Sequence, residues 1–165
     1  MKKLTLSFLL AALALGPAFA ADGETLYAQY CQACHQADGE GIPGTYPFIG
    51  GPIKNLSGFE EGREFVIATT LFGLKGEMVQ RGYTYDGFMP GYGAVMSDEE
   101  VATLLNWIAQ QTTWQRAAGA SAAAYTAEEV ARVRTLALDP EQVHALLAKV
   151  EEIMHATRAP GPKNP

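Results

Sequence analysis

The only two cysteines in the chain, Cys31 and Cys34, stand two residues apart and are followed at once by His35. In the run Cys31-Gln32-Ala33-Cys34-His35, both thiols can add to the vinyl groups on one edge of a porphyrin. The short arc between them sets the next imidazole beneath the iron. This is the spacing of a c-type haem attachment site, with His35 as the proximal axial ligand. Other uses of the cysteines fit less well. A pair this close encloses too short a loop to serve as a structural disulfide framework. Zinc needs about four ligands, usually two such pairs, and only His144 and His155 remain, far along the chain.

Iron held by one histidine has a second axial position, and its occupant decides the chemistry. A thioether raises the potential and closes the site, which suits electron transfer; an open position suits binding or activating small molecules. The candidates are Met78, Met89, Met96 and Met154, with His144 and His155 as outsiders. Met89 has the best context. In Phe88-Met89-Pro90-Gly91-Tyr92-Gly93 the proline and glycines keep the backbone extended, so that a side chain can reach inward. Any single methionine can equally be core filling, which leaves Met78 and Met96 open. His144 and His155 would share one face of a continuous helix, and an exposed surface role is the ordinary reading for both.

The elements that must position these groups read as mainly helical. Asp22 caps a helix through Thr25, Leu26, Tyr27 and Tyr30 that runs into the cysteine pair. From Gly39 to Pro52 glycines and prolines predict an ordered loop without regular helix or strand. Pro43, Tyr46, Pro47, Phe48 and Ile49 make it apolar enough to lie against a porphyrin edge. A helix is expected over Glu60 to Phe72, stopped by Gly73. The segment from Gly76 to Gly87 reads as a small hairpin or irregular turn. Ser97-Asp98-Glu99-Glu100 is a capping box opening a helix through Leu104 and Trp107 to about Thr112. Residues 115–125 read as an alanine-rich connection. Thr126 and Asp139-Pro140 then open two further amphipathic helices, and 158–165 is a proline-rich tail.

The N-terminus is basic at Lys2 and Lys3, apolar from Leu4 to Leu15, and ends in Ala18-Phe19-Ala20. These are the parts of a secretory signal peptide over residues 1–20, cleaved after Ala20, and they predict a periplasmic or other extracytoplasmic location. An uncleaved anchor is the alternative. Residues 21–114 carry four basic side chains against twelve acidic ones, whereas 115–165 are balanced. An acidic surface disfavours nucleic acid and anionic lipid as partners.

The order of CQACH, Gly/Pro loop, middle helix, FMPGYG and SDEEVATLLNWI resembles a class I monohaem cytochrome c. Gly23 and Tyr27, eight and four residues before Cys31, match the small and aromatic positions where the family's first helix crosses its last. Leu104 and Trp107 match the other side of that crossing. The resemblance implies an all-α cytochrome c fold, three main core helices around one haem c, over residues 21–114. It also implies that a proline carbonyl accepts the second ring N–H of His35, for which Pro43 and Pro47 are candidates, Pro43 preferred. The sequence is most similar to bacterial members with a C-terminal extension, here 115–165, expected to wrap the core. Those relatives donate electrons to terminal oxidases. The implied function is a soluble electron carrier, not an enzyme, between an upstream quinol-oxidising complex or dehydrogenase and a terminal oxidase. The alternative is a cytochrome subunit of a periplasmic dehydrogenase. Docking is expected through an apolar patch around Cys31 to Gln36 and Phe88 to Tyr92. A lysine ring is not expected, since only Lys54 and Lys75 could join one.

Overall fold

Four helices begin where a side chain replaces a missing backbone partner. Asp22 Oδ1 accepts from the Thr25 N–H at 2.8 Å and opens α1, Gly23–Tyr30. Cys31 breaks the regular run, and one further turn, α2 (Gln32–His35), carries the histidine. The computed structural model describes residues 21–111 and 123–157. The expected signal peptide over 1–20, most of the alanine-rich connection and the tail over 158–165 lie outside the described residues.

The Gly/Pro stretch departs from expectation at its end. Residues Gly50–Leu56 form a helix, α3, with Pro52 inside its first turn, where a missing N–H costs no hydrogen bond. The middle helix α4 spans Glu60–Phe72 and stops at Gly73. Beyond it β2 (Met78–Gln80) and β3 (Tyr83–Tyr85) form the expected hairpin. Arg81 and Gly82, both with positive φ, make its two-residue turn, the geometry whose twist suits a hairpin. A second ladder was not apparent from the sequence. Strands β1 (Gly73–Lys75) and β4 (Phe88–Pro90) pair antiparallel across the hairpin's base.

The expected capping box opens α5, Asp98–Gln110. Thr126 caps α6, Ala127–Arg134. Asp139 and Gln142 exchange side-chain bonds with each other's N–H groups at 2.7 and 2.8 Å, opening α7, Pro140–Thr157. Among the described residues no helix is long and apolar enough to cross a membrane.

Helices α1 and α5 cross at Gly23. A Cβ there would lie 2.2 Å from Trp107 Cβ and 2.9 Å from the Thr103 carbonyl, so the backbones approach only because the side chain is absent. The Tyr27 and Trp107 rings fill the angle, with centroids 5.1 Å apart. The later helices share this core: α6 packs on α5 and α4, and α7 on α4 and β1. Val130, Val133, Val143 and Val150 are essentially solvent-free within it, each burial stabilising by about 1.5 kcal/mol or more. Polar fastenings join the same parts. Tyr125 Oη bonds Ser57 Oγ at 2.7 Å, and Arg63 binds Glu129 through two nitrogens at 2.7 and 2.5 Å.

Candidate haem site

The short helix α2 delivers His35 into the interior, where the residue is only 7% exposed. Nδ1 lies 2.9 Å from the Pro47 carbonyl oxygen. A carbonyl can only accept, so Nδ1 carries the proton and Nε2 keeps its lone pair for a metal. Burial pushes the imidazole pKa below its ordinary value, partly opposed by the bond to Pro47. The neutral ring is the form a metal requires.

Pro47, not the preferred Pro43, is therefore the acceptor. The intervening turn decides this. Ile42 and Tyr46 bond each other's backbone in both directions at 2.8 Å, which places Pro43 on an exposed tip and returns the chain to His35 at Pro47. Gly41 makes the return possible. Its φ is +67°, and a Cβ would sit 2.3 Å from the Tyr46 oxygen and 2.6 Å from the Pro47 oxygen.

Beside the histidine, Cys31 is buried and Cys34 half-buried. Burial, with a smaller contribution from Cys34, pushes the Cys31 thiol pKa up to about 12. Both cysteines open onto hollow space. A cavity of about 540 Å³ is walled by side chains from α3, α4, α5, α7 and the hairpin, with Cys31 and His35 among its lining. That volume falls in the size class of cofactor sites. A smaller lobe of about 90 Å³ continues past Cys34.

Three of the four candidate methionines, Met78, Met89 and Met154, line the larger cavity. Met96 does not; it is 3% exposed within the apolar core. Met78 lies in the β2–β3 ladder opposite Tyr85, and Met89 is fastened by a ladder of its own. It sits in β4 opposite Leu74 of β1, and Gly73, at φ +86°, admits the Met89 carbonyl where a Cβ would lie 2.3 Å away. Just beyond, Tyr92 N–H donates to the Thr70 carbonyl at 2.9 Å, and Tyr92 Oη donates to the Tyr30 carbonyl at 2.8 Å. These bonds tie the methionine strand to α4 and to the helix before Cys31.

The outlying histidines have other work. His144 Nε2 donates to the Glu77 carbonyl at 2.6 Å, and its ring lies against Gly76. His155 is exposed on the same helix. Among the described residues no cluster of His, Cys, Asp and Glu could hold a separate metal ion.

The residues fit a c-type haem. Cys31, Cys34 and His35 together line the smaller apolar lobe, and Cys31 and His35 also line the larger cavity beside it. Thr69 Oγ1, on an α4 residue of its wall, is buried without a hydrogen-bond partner among the described residues, an orphan that a polar ligand edge would satisfy. Sequence reasoning missed two parts of the site. The wall supplied by Leu147, Val150 and Met154 of α7 was readable as an apolar stripe but not as a cavity wall. Gln80, which binds Phe48 through both amide atoms, carries no local sequence signal.

Comparisons with known proteins agree with the geometry. Residues 20–112 match the cytochrome c family profile. A cytochrome c-552 of Thermus thermophilus is 42% identical over 147 residues, covering 88% of this chain and 95% of its own length. A second Thermus cytochrome c-552 is 42% identical over 76% of this chain and 93% of its own. Cytochrome c6 of a Picosynechococcus species is 31% identical over 67% of this chain and 95% of its own. With that match laid over a mainly helical fold and the Cys31–Cys34–His35 corner, the chain belongs to the cytochrome c family, as a class I monohaem member that carries haem c on its two cysteines and transfers electrons rather than transforming a substrate.

Proposed function

We propose that this cytochrome is an exported one-electron carrier in which His35 and Met89 would hold the haem iron and a terminal oxidase takes the electron. The observation that carries the reading is that Met89 lines the same cavity as His35 while its backbone is fastened by the β1–β4 ladder. The bound haem supplies an Fe(II)/Fe(III) couple. The chain's own residues do the rest. His35 offers a neutral Nε2 oriented by Pro47, and Met89 offers a thioether from the β1–β4 ladder. Two permanent side-chain ligands leave no coordination position for a substrate. Apolar walls exclude water, which favours the less charged reduced state.

The lobe beside Cys34 marks the place for electron exchange. It is lined without Asp, Glu, Lys or Arg among the described residues. Phe88 is 61% exposed and Tyr46 37% exposed at its edge. Contact there is apolar and brief, as redox encounters are small and weak. The oxidase is supported by the resemblance to carriers with a C-terminal extension, and export by the basic, apolar and small-residue order of residues 1–20. The upstream donor is a quinol-oxidising complex or a dehydrogenase.

Absorption spectra of ferric variants test the ligand. Met89→Ala loses the weak sulfur-to-iron band, while Met78→Ala and Met96→Ala keep it; loss in Met78→Ala alone overturns the assignment. Oxidation by a terminal oxidase that barely changes with salt supports apolar docking. A steep fall with salt points to charge steering instead, and co-purification with a dehydrogenase catalytic subunit replaces the oxidase reading.

A further inference from the structure

The loop that orients His35 is itself gripped from the hairpin. Gln80, the last residue of β2, lays its side-chain amide along Phe48. Its Oε1 accepts from the Phe48 N–H at 2.9 Å, and its Nε2 donates to the Phe48 carbonyl at 2.9 Å. The two contacts together fix which amide atom points where. Phe48 N–H belongs to the same peptide unit as the Pro47 carbonyl, which accepts from His35 Nδ1 at 2.9 Å. One planar group therefore links Gln80 to the imidazole.

A peptide unit is conjugated. An acceptor on its N–H shifts electron density toward its oxygen, and hydrogen bonds in such a chain strengthen one another. Gln80 thus makes Pro47 a better acceptor for the His35 proton. A better acceptor makes the imidazole a more basic ligand, which favours the oxidised metal. We propose that Gln80 is a positioning residue for the axial histidine, acting through the Pro47–Phe48 peptide to lower the haem potential. The inference rests on His35 binding iron, as proposed above.

A neighbouring residue supplies the control. Arg81 stacks over the Phe48 ring at 3.5 Å and pairs with Glu40 at 2.9 Å. It steadies Phe48 without touching the peptide link. Arg81→Lys keeps the charge and removes the planar stack.

The experiment compares holoproteins carrying Gln80→Met, Gln80→Asn or Arg81→Lys by redox titration and by NMR of the His35 ring. Both Gln80 variants should shift the reduced-to-oxidised ratio at fixed potential two- to fivefold toward reduced, an increase of about 20–40 mV at 59 mV per tenfold. The ferrous Nδ1–H resonance should move upfield and exchange faster. Arg81→Lys, at a residue that also lines the cavity, should leave the Nδ1–H resonance and its exchange unchanged. Unchanged potential and resonance in the folded Gln80 variants, or the same resonance shift in Arg81→Lys, would overturn the proposal. Fast exchange of the wild-type Phe48 amide would do so without any variant. In the ferric protein, His35 ring signals at ordinary diamagnetic positions would sink the axial assignment and this proposal together. Paramagnetically shifted signals indifferent to Gln80 sink this proposal alone.

Discussion

Replacing Arg134 by methionine should separate α6 from the segment that leads away from Met89. Arg134 closes α6 and directs three nitrogens at three acceptors. Nε binds Asp98 Oδ1 at 2.7 Å, one terminal nitrogen binds the Gly93 carbonyl, and the other binds the Met96 carbonyl at 3.0 Å. Methionine keeps most of the aliphatic stem and removes every donor. A hydrogen bond to a charged group is worth about 1.5–3 kcal/mol when well shielded. Here the arginine side chain is 32% exposed and Asp98 26% exposed, so water re-solvates much of what is lost. Asp98 also keeps its favourable place at the start of α5. A net loss of about 1.5–2 kcal/mol follows, or about 3–8 °C in melting temperature for a chain of this size. Thermal unfolding of the ferric holoprotein by far-UV circular dichroism measures it.

A cycle with Asp98→Asn sharpens the test, because two residues in one ion pair should couple and fail to add. The sulfur-to-iron band gives a local reading alongside the global one. With the Gly93 and Met96 carbonyls released, it should bleach at a lower temperature than in wild type. An unchanged melting temperature in Arg134→Met, or strict additivity with Asp98→Asn, would refute the reasoning. The contacts would then be surface pairs of no energetic weight.

Gly23→Ala should destabilise by about 1–3 kcal/mol through overpacking, because the new Cβ would meet Trp107 Cβ at 2.2 Å; denaturant unfolding that matches or exceeds wild type would disprove the tight crossing. Gly41→Ala combines a strained φ of +67° with displacement of the Pro47 carbonyl, so it should cost at least about 1–2 kcal/mol and weaken protection of the His35 Nδ1–H, read by proton exchange. Tyr125→Phe removes the bond to Ser57 Oγ, but Ser57 keeps its bond to the Ile53 carbonyl at 2.6 Å, so the loss should stay near ~1 kcal/mol in urea unfolding. The Thr25 cap lowers the Asp22 pKa below 3.8. A depressed acid binds its proton less readily folded than unfolded, so its stabilisation is full above 3.8 and is lost as pH falls through the lower folded value. Asp22→Asn should flatten that part of the acid melting profile, and an identical profile would show that the cap carries no linkage.

The parts of the fold written within one helical turn were legible. Ser97 with Glu100, and Asp139 with Pro140, each declare a helix start from a few consecutive residues, and the cap side chains bond the backbone N–H groups of the turn they open. Parts that depend on distant pairing were not. Nothing near Leu74 announces Met89 as its strand partner, because three-residue strands have no room for a readable alternation. Helix α3 was hidden by Gly50, Gly51 and Pro52, which lower intrinsic helix propensity; its place comes from burying Leu56 and Gly50 against the core. Pro47 displaced Pro43 because of a turn closed by backbone bonds, which any residues but proline at 42 and 46 could make. Of the candidate site, Cys31, Cys34 and His35 were readable because covalent attachment fixes their spacing. The methionine could be narrowed only by context, and the structure removes Met96 by enclosing it in the core.

Cavity-lining residues His35 and Met89 are mounted differently, yet one element reaches both. His35 is oriented from the loop through Pro47, and that loop is gripped by Gln80 at the far end of β2. Met89 rides on β4, whose partner β1 leads directly into the same hairpin. Helix α7 meets β1 and the link that follows it: Lys75 pairs with Glu141 at 2.8 Å, and His144 donates to the Glu77 carbonyl. The continuous segment from β1 to β2 therefore touches both mounts, β1 at Met89 and Gln80 at the His35 loop, and α7 packs on its first strand. Helix α7 also walls the cavity through Leu147, Val150 and Met154, so the C-terminal helix borders both mounts without contributing a proposed iron ligand.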